Sequence, residues 1–165
     1  MILNVFILDV LNDQLIAAEI LQAVNIKMPA KKDGWNFNWS KLLREKNTQT
    51  FVLRIKGHEN QVEGVLQLKL ENEMLIMNVI EIAPHNIGRQ NKKFDHVAGC
   101  LISYACRESF KIYGNYKGYL TFVSKTNLIE WYSTRYGAEV ALGQRMFISA
   151  EKGIELIEEY LNRKK

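Results

Sequence analysis

The chain has 165 residues, a net charge of +4, and 47% hydrophobic against 24% charged residues. That length and composition suit one soluble globular domain with a sizeable core, and no stretch approaches the ~20 apolar residues needed to span a bilayer. The charge is too small to single out a polyanionic partner.

Ile2 to Asp9 is apolar and β-branched enough for a first strand. Met1 to Val10 lacks the basic leader and small-residue cleavage site of a signal peptide. Leu15, Ile16, Ala18, Ile20, Leu21 and Val24 recur with helical periodicity, so the spacing predicts a helix there. Lys27 to Asn38, with Pro29, Lys31, Lys32 and Gly34, reads as irregular, and Trp39 to Glu45 as a short helix. Three strands then follow closely, Gln49 to Lys56, Val62 to Leu70 and Met74 to Ile82. Their connections are the turn clusters Gly57-His58-Glu59-Asn60 and Glu71-Asn72-Glu73, which predicts an antiparallel meander.

Pro84 ends the third strand, and a polar loop from His85 to Asp95 leads into a helix from His96 to Tyr113. Its expected buried face is Val97, Leu101, Tyr104, Ala105 and Ser109. Cys100 and Cys106 fall far round that helix from one another, which argues against a disulfide between them. A strand, Tyr119 to Ser124, and a helix, Asn127 to Tyr136, follow. Asn127 and Glu130 have capping-box spacing, and Gly137 is the stop. Ala138 to Ser149 supplies one or two strands, and Ser149 caps a last helix, Ala150 to Leu161. The order is β-α-α-β-β-β-α-β-α-β-α. The helical crossover makes Met74 to Ile82 and Tyr119 to Ser124 parallel neighbours in an otherwise antiparallel sheet. With no repeat, linker or low-complexity tract, residues 1–165 read as one continuous domain.

The chemistry concentrates between Asn78 and Ala105. A strand ends at Ala83-Pro84, a loop carries Arg89, Lys92 and Lys93, and a helix opens with the small residues Ala98 and Gly99. A helix N-terminus offers unpaired N–H groups and partial positive charge, small residues admit a ligand to the backbone, and the basic loop adds attraction. The combination suits a phosphate. The three histidines (His58, His85, His96) have no metal-ligand spacing, and there is no Cys-x-x-Cys pair. The Lys31-Lys32, Lys92-Lys93 and Arg163-to-Lys165 clusters have no interleaved aromatic residues, so nucleic acid is not an expected partner. The C-terminal cluster reads as a solvated tail.

This segment resembles the acetyl-CoA-binding core of the GNAT superfamily, in which a strand precedes a Q/R-x-x-G-x-G/A loop that opens a helix. On this chain the loop is Lys93-Phe94-Asp95-His96-Val97-Ala98, followed by Gly99. Lys93 stands where Gln or Arg is usual, and His96 where the first glycine is usual. Asp95 adds a carboxylate that could cap the helix. A second match is Leu128 to Ala138, whose Trp131-Tyr132 is similar to the aromatic pair of an F-Y-E-K-x-G-F-like signature. Together the matches cover about Gln49 to Ile148. They imply a GNAT-like α/β fold of α+β type: a mixed, mostly antiparallel sheet, a parallel strand pair splayed around CoA, and helices on both faces.

The resemblance further implies an N-acetyltransferase that takes acetyl-CoA as co-substrate, needs no metal, and acetylates a primary amine on a small molecule or peptide. Ile80 and Ile82 would pair by backbone with the pantetheine arm, which Lys125 would also contact. Lys92, Lys93, Phe94, Asp95, His96, Val97, Ala98 and Gly99 would form the diphosphate loop. Tyr132 would protonate the leaving thiolate. Glu81, the only carboxylate on its strand next to the cleft, would be the general base, or else the partner of Arg89 or Lys125 in an ion pair. His85 could relay protons or be a loop histidine without a role. Trp35 and Trp39 could wall the acceptor pocket or anchor a short helix in the core. A non-catalytic CoA-binding module with the same fold is the alternative reading. A cytoplasmic protein without membrane contact is expected, and a homodimer is compatible with the sequence.

Overall fold

The computed structural model describes residues 1–164. It contains a nine-stranded sheet in the order β6-β1-β2-β3-β4-β5-β7-β9-β8. The strands are β1 (Ile2–Asp9), β2 (Gln14–Gln22), β3 (Thr48–Ile55), β4 (Val62–Glu71), β5 (Met74–Ile82), β6 (Phe94–Asp95), β7 (Leu120–Val123), β8 (Glu139–Leu142) and β9 (Arg145–Ile148). Helices α1 (Trp39–Leu42), α2 (Val97–Ser109), α3 (Ile129–Tyr136) and α4 (Ala150–Leu156) complete it, with α4 running on into a π-helical turn, Ile157–Leu161. Every strand pair is antiparallel except β5 with β7.

The segment expected as a first helix is strand β2, which pairs with β1 from Ile2↔Leu21 to Asp9↔Gln14 and with β3 on its other edge. Its apolar run is nearly continuous, a pattern shared by a buried helix and by a strand covered on both faces. The turn settles the choice. Asn12 donates from Nδ2 to Asp9 Oδ2 at 2.8 Å, and Asp13 sits at φ +49, a left-handed position that Asp tolerates. That turn closes a hairpin, and strand pairing propagates from it.

Apolar side chains alternate along the central strands and make two cores. Phe51, Leu53, Leu66, Leu68 and Met77 face α2 and α4, whereas Val52, Val65, Trp35 and Trp39 pack on the opposite face beneath α1. Helix α2 is buried almost all round, beyond the one face expected of it, because Tyr160, Leu161 and Leu156 of the C-terminal helix cover its outer side. Its closeness to the sheet depends on Gly64 in β4. A Cβ there would lie 2.8 Å from both Leu101 Cδ1 and Val97 Cγ1. Leu101 and Ile102 are fully buried, each worth about 1.5–3 kcal/mol of hydrophobic stabilisation.

Candidate active site

Strands β5 and β7 share only two register pairs, Leu75↔Leu120 and Ile76↔Thr121. Beyond them β5 runs on to Ile82 and β7 to Val123 without pairing to each other, so the sheet opens into a wedge. The parting begins beside a bulge. The β4–β5 register slips between Gln67 and Leu68, leaving Asn78 as the extra residue, and Asn78 Nδ2 donates to Gln67 Oε1 at 2.8 Å. Bulges add local twist, which turns β5 away from β7.

Past the bulge, the backbone direction of β5 can be read from one bond. Ala83 N–H donates to Glu63 O at 2.9 Å, toward β4. Backbone groups alternate along a strand, so Ile82 and Ile80 turn their N–H and C=O into the wedge while Glu81 turns its own toward β4. Among the described residues, the backbone groups of Ile80 and Ile82 therefore have no strand partner on the wedge side.

The wedge opens into a cleft of about 1030 Å³. Its walls are β5 from Met77 to Ile82, the end of β7 with Ser124 and Lys125, the first turn of α2, and the Trp131-Tyr132 face of α3. Lys125 is exposed at the rim. Tyr132 packs tilted against Phe122 and edge-on against Trp131, with ring centroids 4.7 and 4.9 Å away. Burial pushes its phenol above the ordinary tyrosine value, so it keeps its proton at neutral pH.

At the other end of the cleft lies the α2 N-terminus. His96 precedes the helix at φ +74, the left-handed conformation that the glycine-like loop position demands. Its own N–H is taken by Asp95 Oδ1 at 2.7 Å. The N–H groups of Val97, Ala98 and Gly99 have no acceptor among the described residues. They are three donors left by helix geometry at the mouth of a cleft. Burial opposes the Asp95 charge, but the His96 N–H and the Lys92 ammonium outweigh it and hold Asp95 below the usual carboxylate range. Lys92 Nζ reaches Asp95 Oδ1 at 3.3 Å, so its charge is partly spent within the loop.

Several expected residues occupy other roles. Lys93 is absent from the cleft wall. Its backbone docks the loop by accepting from Val10 N–H and donating to His85 O, and its ammonium lies 5.5 Å over the Phe94 ring. Phe94 is largely buried, held in place by Asn86 Oδ1 accepting from its N–H. His85 is not in the cleft wall. Its Nε2 meets Glu63 Oε1 at 2.5 Å, and Glu63 also accepts from Asn86 Nδ2. That cluster pins the turn after β5.

Glu81 makes no ion pair with Arg89 or Lys125. Its carboxylate accepts from Asn36 N–H (2.6 Å), Phe37 N–H (3.3 Å) and Trp39 Nε1 (2.8 Å). It thereby clamps the irregular segment before α1 onto the wedge, where Asn36 and Phe37 form a wall. Trp35 and Trp39 are buried core anchors, and neither lines the cleft.

The sequence reading missed two cations. Arg135 of α3 lines the cleft beside Tyr160 and Asp95. Arg163, expected in a solvated tail, donates from Nη1 to His96 Nδ1 at 2.8 Å and from Nη2 to Phe6 O, and lies 5.5 Å over the Tyr160 ring. Lys165 lies outside the described residues. Arg135 was within reach of the signature around Trp131-Tyr132, but nothing local marks Arg163, whose partners are distant in the chain. Among the described residues no group of three or more His, Cys, Asp or Glu side chains could hold a metal ion, and no helix is long and apolar enough to cross a membrane.

No protein-family model matches the sequence, and no curated protein matches it. Solved structures do. The chain is similar to AtaTR bound with acetyl-CoA at 12% identity, over 85% of this chain and 98% of that one, with a TM-score of 0.61. It is similar to KacTA in a complex with DNA at 12% identity, over 86% and 99%, with a TM-score of 0.59. It is also similar to a protein of Exiguobacterium sp. 255-15 described as an acetyltransferase, at 14% identity over 84% and 97%, with a TM-score of 0.52. Together with the single parallel strand pair and its divergence, these likenesses show that the chain has the fold of the GNAT acetyltransferases.

Proposed function

We propose that this protein is an N-acetyltransferase that moves an acetyl group from acetyl-CoA to an amine. The observation that carries the reading is the wedge between β5 and β7, closed at one end by free α2 amides and flanked by a protonated tyrosine. The residues present fit the co-substrate. Ile80 and Ile82 offer backbone edges to the amides of a pantetheine arm, and Lys125 stands at the rim beside them. Val97, Ala98 and Gly99 offer N–H groups to a diphosphate, with Lys92, Arg89 and Arg135 supplying positive charge around it. Asp95 and Phe94 shape the turn, and Lys93 is left out of the cradle.

A thioester supplies an acetyl group already activated for attack. The protein's share is then to place a neutral amine, stabilise negative charge on the carbonyl oxygen and provide a proton for sulfur. A backbone N–H of β5 facing the wedge suits the oxygen. Tyr132, buried and protonated, suits the sulfur. Among the described residues, Glu81 is the only carboxylate in the cleft wall away from the α2 end. Its three donors fill three of about four lone-pair sites and leave one to take the amine proton, directly or through water. The same contacts make Glu81 the anchor of the Asn36–Phe37 wall on the acceptor side.

The acceptor is an amine on a small molecule or a peptide. Since a protein of similar fold forms a complex with DNA, nucleic acid belongs in the acceptor and partner screen rather than outside it. The test is release of free thiol from acetyl-CoA in the presence of a panel of amines, peptides and nucleic acids. Wild-type turnover with one class, slowed at least tenfold by Tyr132→Phe at little-changed KM, supports the reading. CoA binding without thiol release on any acceptor would instead identify a non-catalytic CoA-binding module.

A further inference from the structure

His96 occupies the turn position where glycine would carry no strain, and it holds φ +74 there. Its ring is not idle. Nδ1 meets Arg163 Nη1 at 2.8 Å, and the ring stands edge-on to Tyr160 with centroids 5.9 Å apart. A guanidinium can only donate, so Nδ1 must be the bare nitrogen and Nε2 must carry the proton. Nε2 has no partner among the described residues, yet it is not among the buried unsatisfied atoms, so it reaches solvent. His96 lines the cleft next to the free amides of Val97, Ala98 and Gly99. Arg163 is itself fixed from two further sides, by the carbonyl of Phe6 and the Tyr160 ring.

We propose that His96 donates its Nε2–H to the diphosphate of the bound cofactor, and that Arg163 is the positioning residue that sets the tautomer. The inference rests on the acetyl-CoA reading and deepens it. The side chain replaces the flexibility of glycine with one more donor, aimed by a residue from the far end of the chain. The C-terminal segment thereby gains a role, meeting the cleft through Arg163 on His96 and through Tyr160.

Three proteins test this: wild type, His96→Gly and Arg163→Ala, each titrated calorimetrically with CoA and with pantetheine, which lacks the diphosphate. His96→Gly suits the positive φ and should fold at least as well. It should lose about tenfold or more in CoA affinity, the scale of one hydrogen bond to a charged group, with pantetheine affinity unchanged. Arg163→Ala should lose part of the same affinity. Nitrogen NMR of the wild-type ring should report the Nε2-protonated tautomer, and Arg163→Ala should mix the two tautomers. Equal CoA affinity of wild type and His96→Gly, or an Nδ1-protonated ring in the wild type, overturns the proposal alone. CoA that binds none of the proteins overturns it together with the acetyl-CoA reading.

Discussion

Gly99→Ala puts the packing of α2 to a direct test. A Cβ at Gly99 would lie 2.2 Å from Tyr160 Cε1, 2.4 Å from Cζ and 2.7 Å from Cδ1. Carbon atoms rest at about 3.5–4.0 Å, so the ring must retreat by more than about 1 Å. It has little room. Tyr160 is buried, with Tyr136 at 6.4 Å, His96 at 5.9 Å and Arg163 over its face at 5.5 Å. The opposing effect is helix propensity. Gly99 does not have positive φ, so alanine there gains about 1 kcal/mol from the backbone. Overpacking of a tight core costs about 1–3 kcal/mol, occasionally more, and contact at 2.2 Å belongs at the upper end. The expected balance is a net loss of about 1–2 kcal/mol, read as a lower urea midpoint at unchanged m-value. Tyr160→Leu should relieve the clash, so the double variant should be less destabilised than the two single changes summed. A Gly99→Ala protein as stable as wild type, or more stable, would refute this account of how the C-terminal helix covers α2.

The remaining expectations are simpler. Burial raises both the Cys100 and Cys106 thiols to about 12. Neither should react with a thiol reagent at pH 8 until denaturant is added, and prompt labelling would contradict their burial. Lys92→Ala should weaken CoA binding several-fold in calorimetry, whereas Lys93→Ala should leave it within about twofold, because only Lys92 lines the cleft. For pH, burial and then the Arg163 charge lower the His96 pKa below 6.5, with Arg135 acting in the same direction and Asp95 and Glu159 opposing. The unfolded chain therefore binds the proton more readily. This contribution to stability is complete above pH 6.5 and declines as pH falls through 6.5 toward the folded value. The Asp95 shift adds a further loss below its ordinary value of 3.8. His96→Gln should flatten the fall in urea midpoint between pH 7 and 5.5, and an unchanged slope would assign that fall to other groups.

Signals confined to a few neighbouring residues were readable in the one-dimensional pattern. The meander of β3, β4 and β5, the crossover through α2 and the stop at Gly137 each rest on periodicity, turn chemistry or a cap within a few residues. So does the turn at His96 that opens α2, since a loop pattern and a helix start coincide there. Where periodicity is ambiguous the reading failed. The apolar run from Leu15 to Val24 fits a helix as well as it fits a doubly covered strand, and the Asn12-Asp13 turn breaks the tie.

Side-chain roles that join distant parts of the chain were invisible beforehand. Glu81 could be chosen as the lone acid on its strand, but its engagement with Asn36, Phe37 and Trp39 spans more than forty residues. Arg163 looks like part of a basic tail until the fold brings it to Phe6 and His96, 157 and 67 residues away in sequence. Local order in the chain thus dictates where strands, turns and helix starts fall, because backbone preferences and hydrophobic period act over a few residues. Which charges meet, which donors stay free and where the sheet parts depend on long-range pairing, and that is set only when the whole core packs.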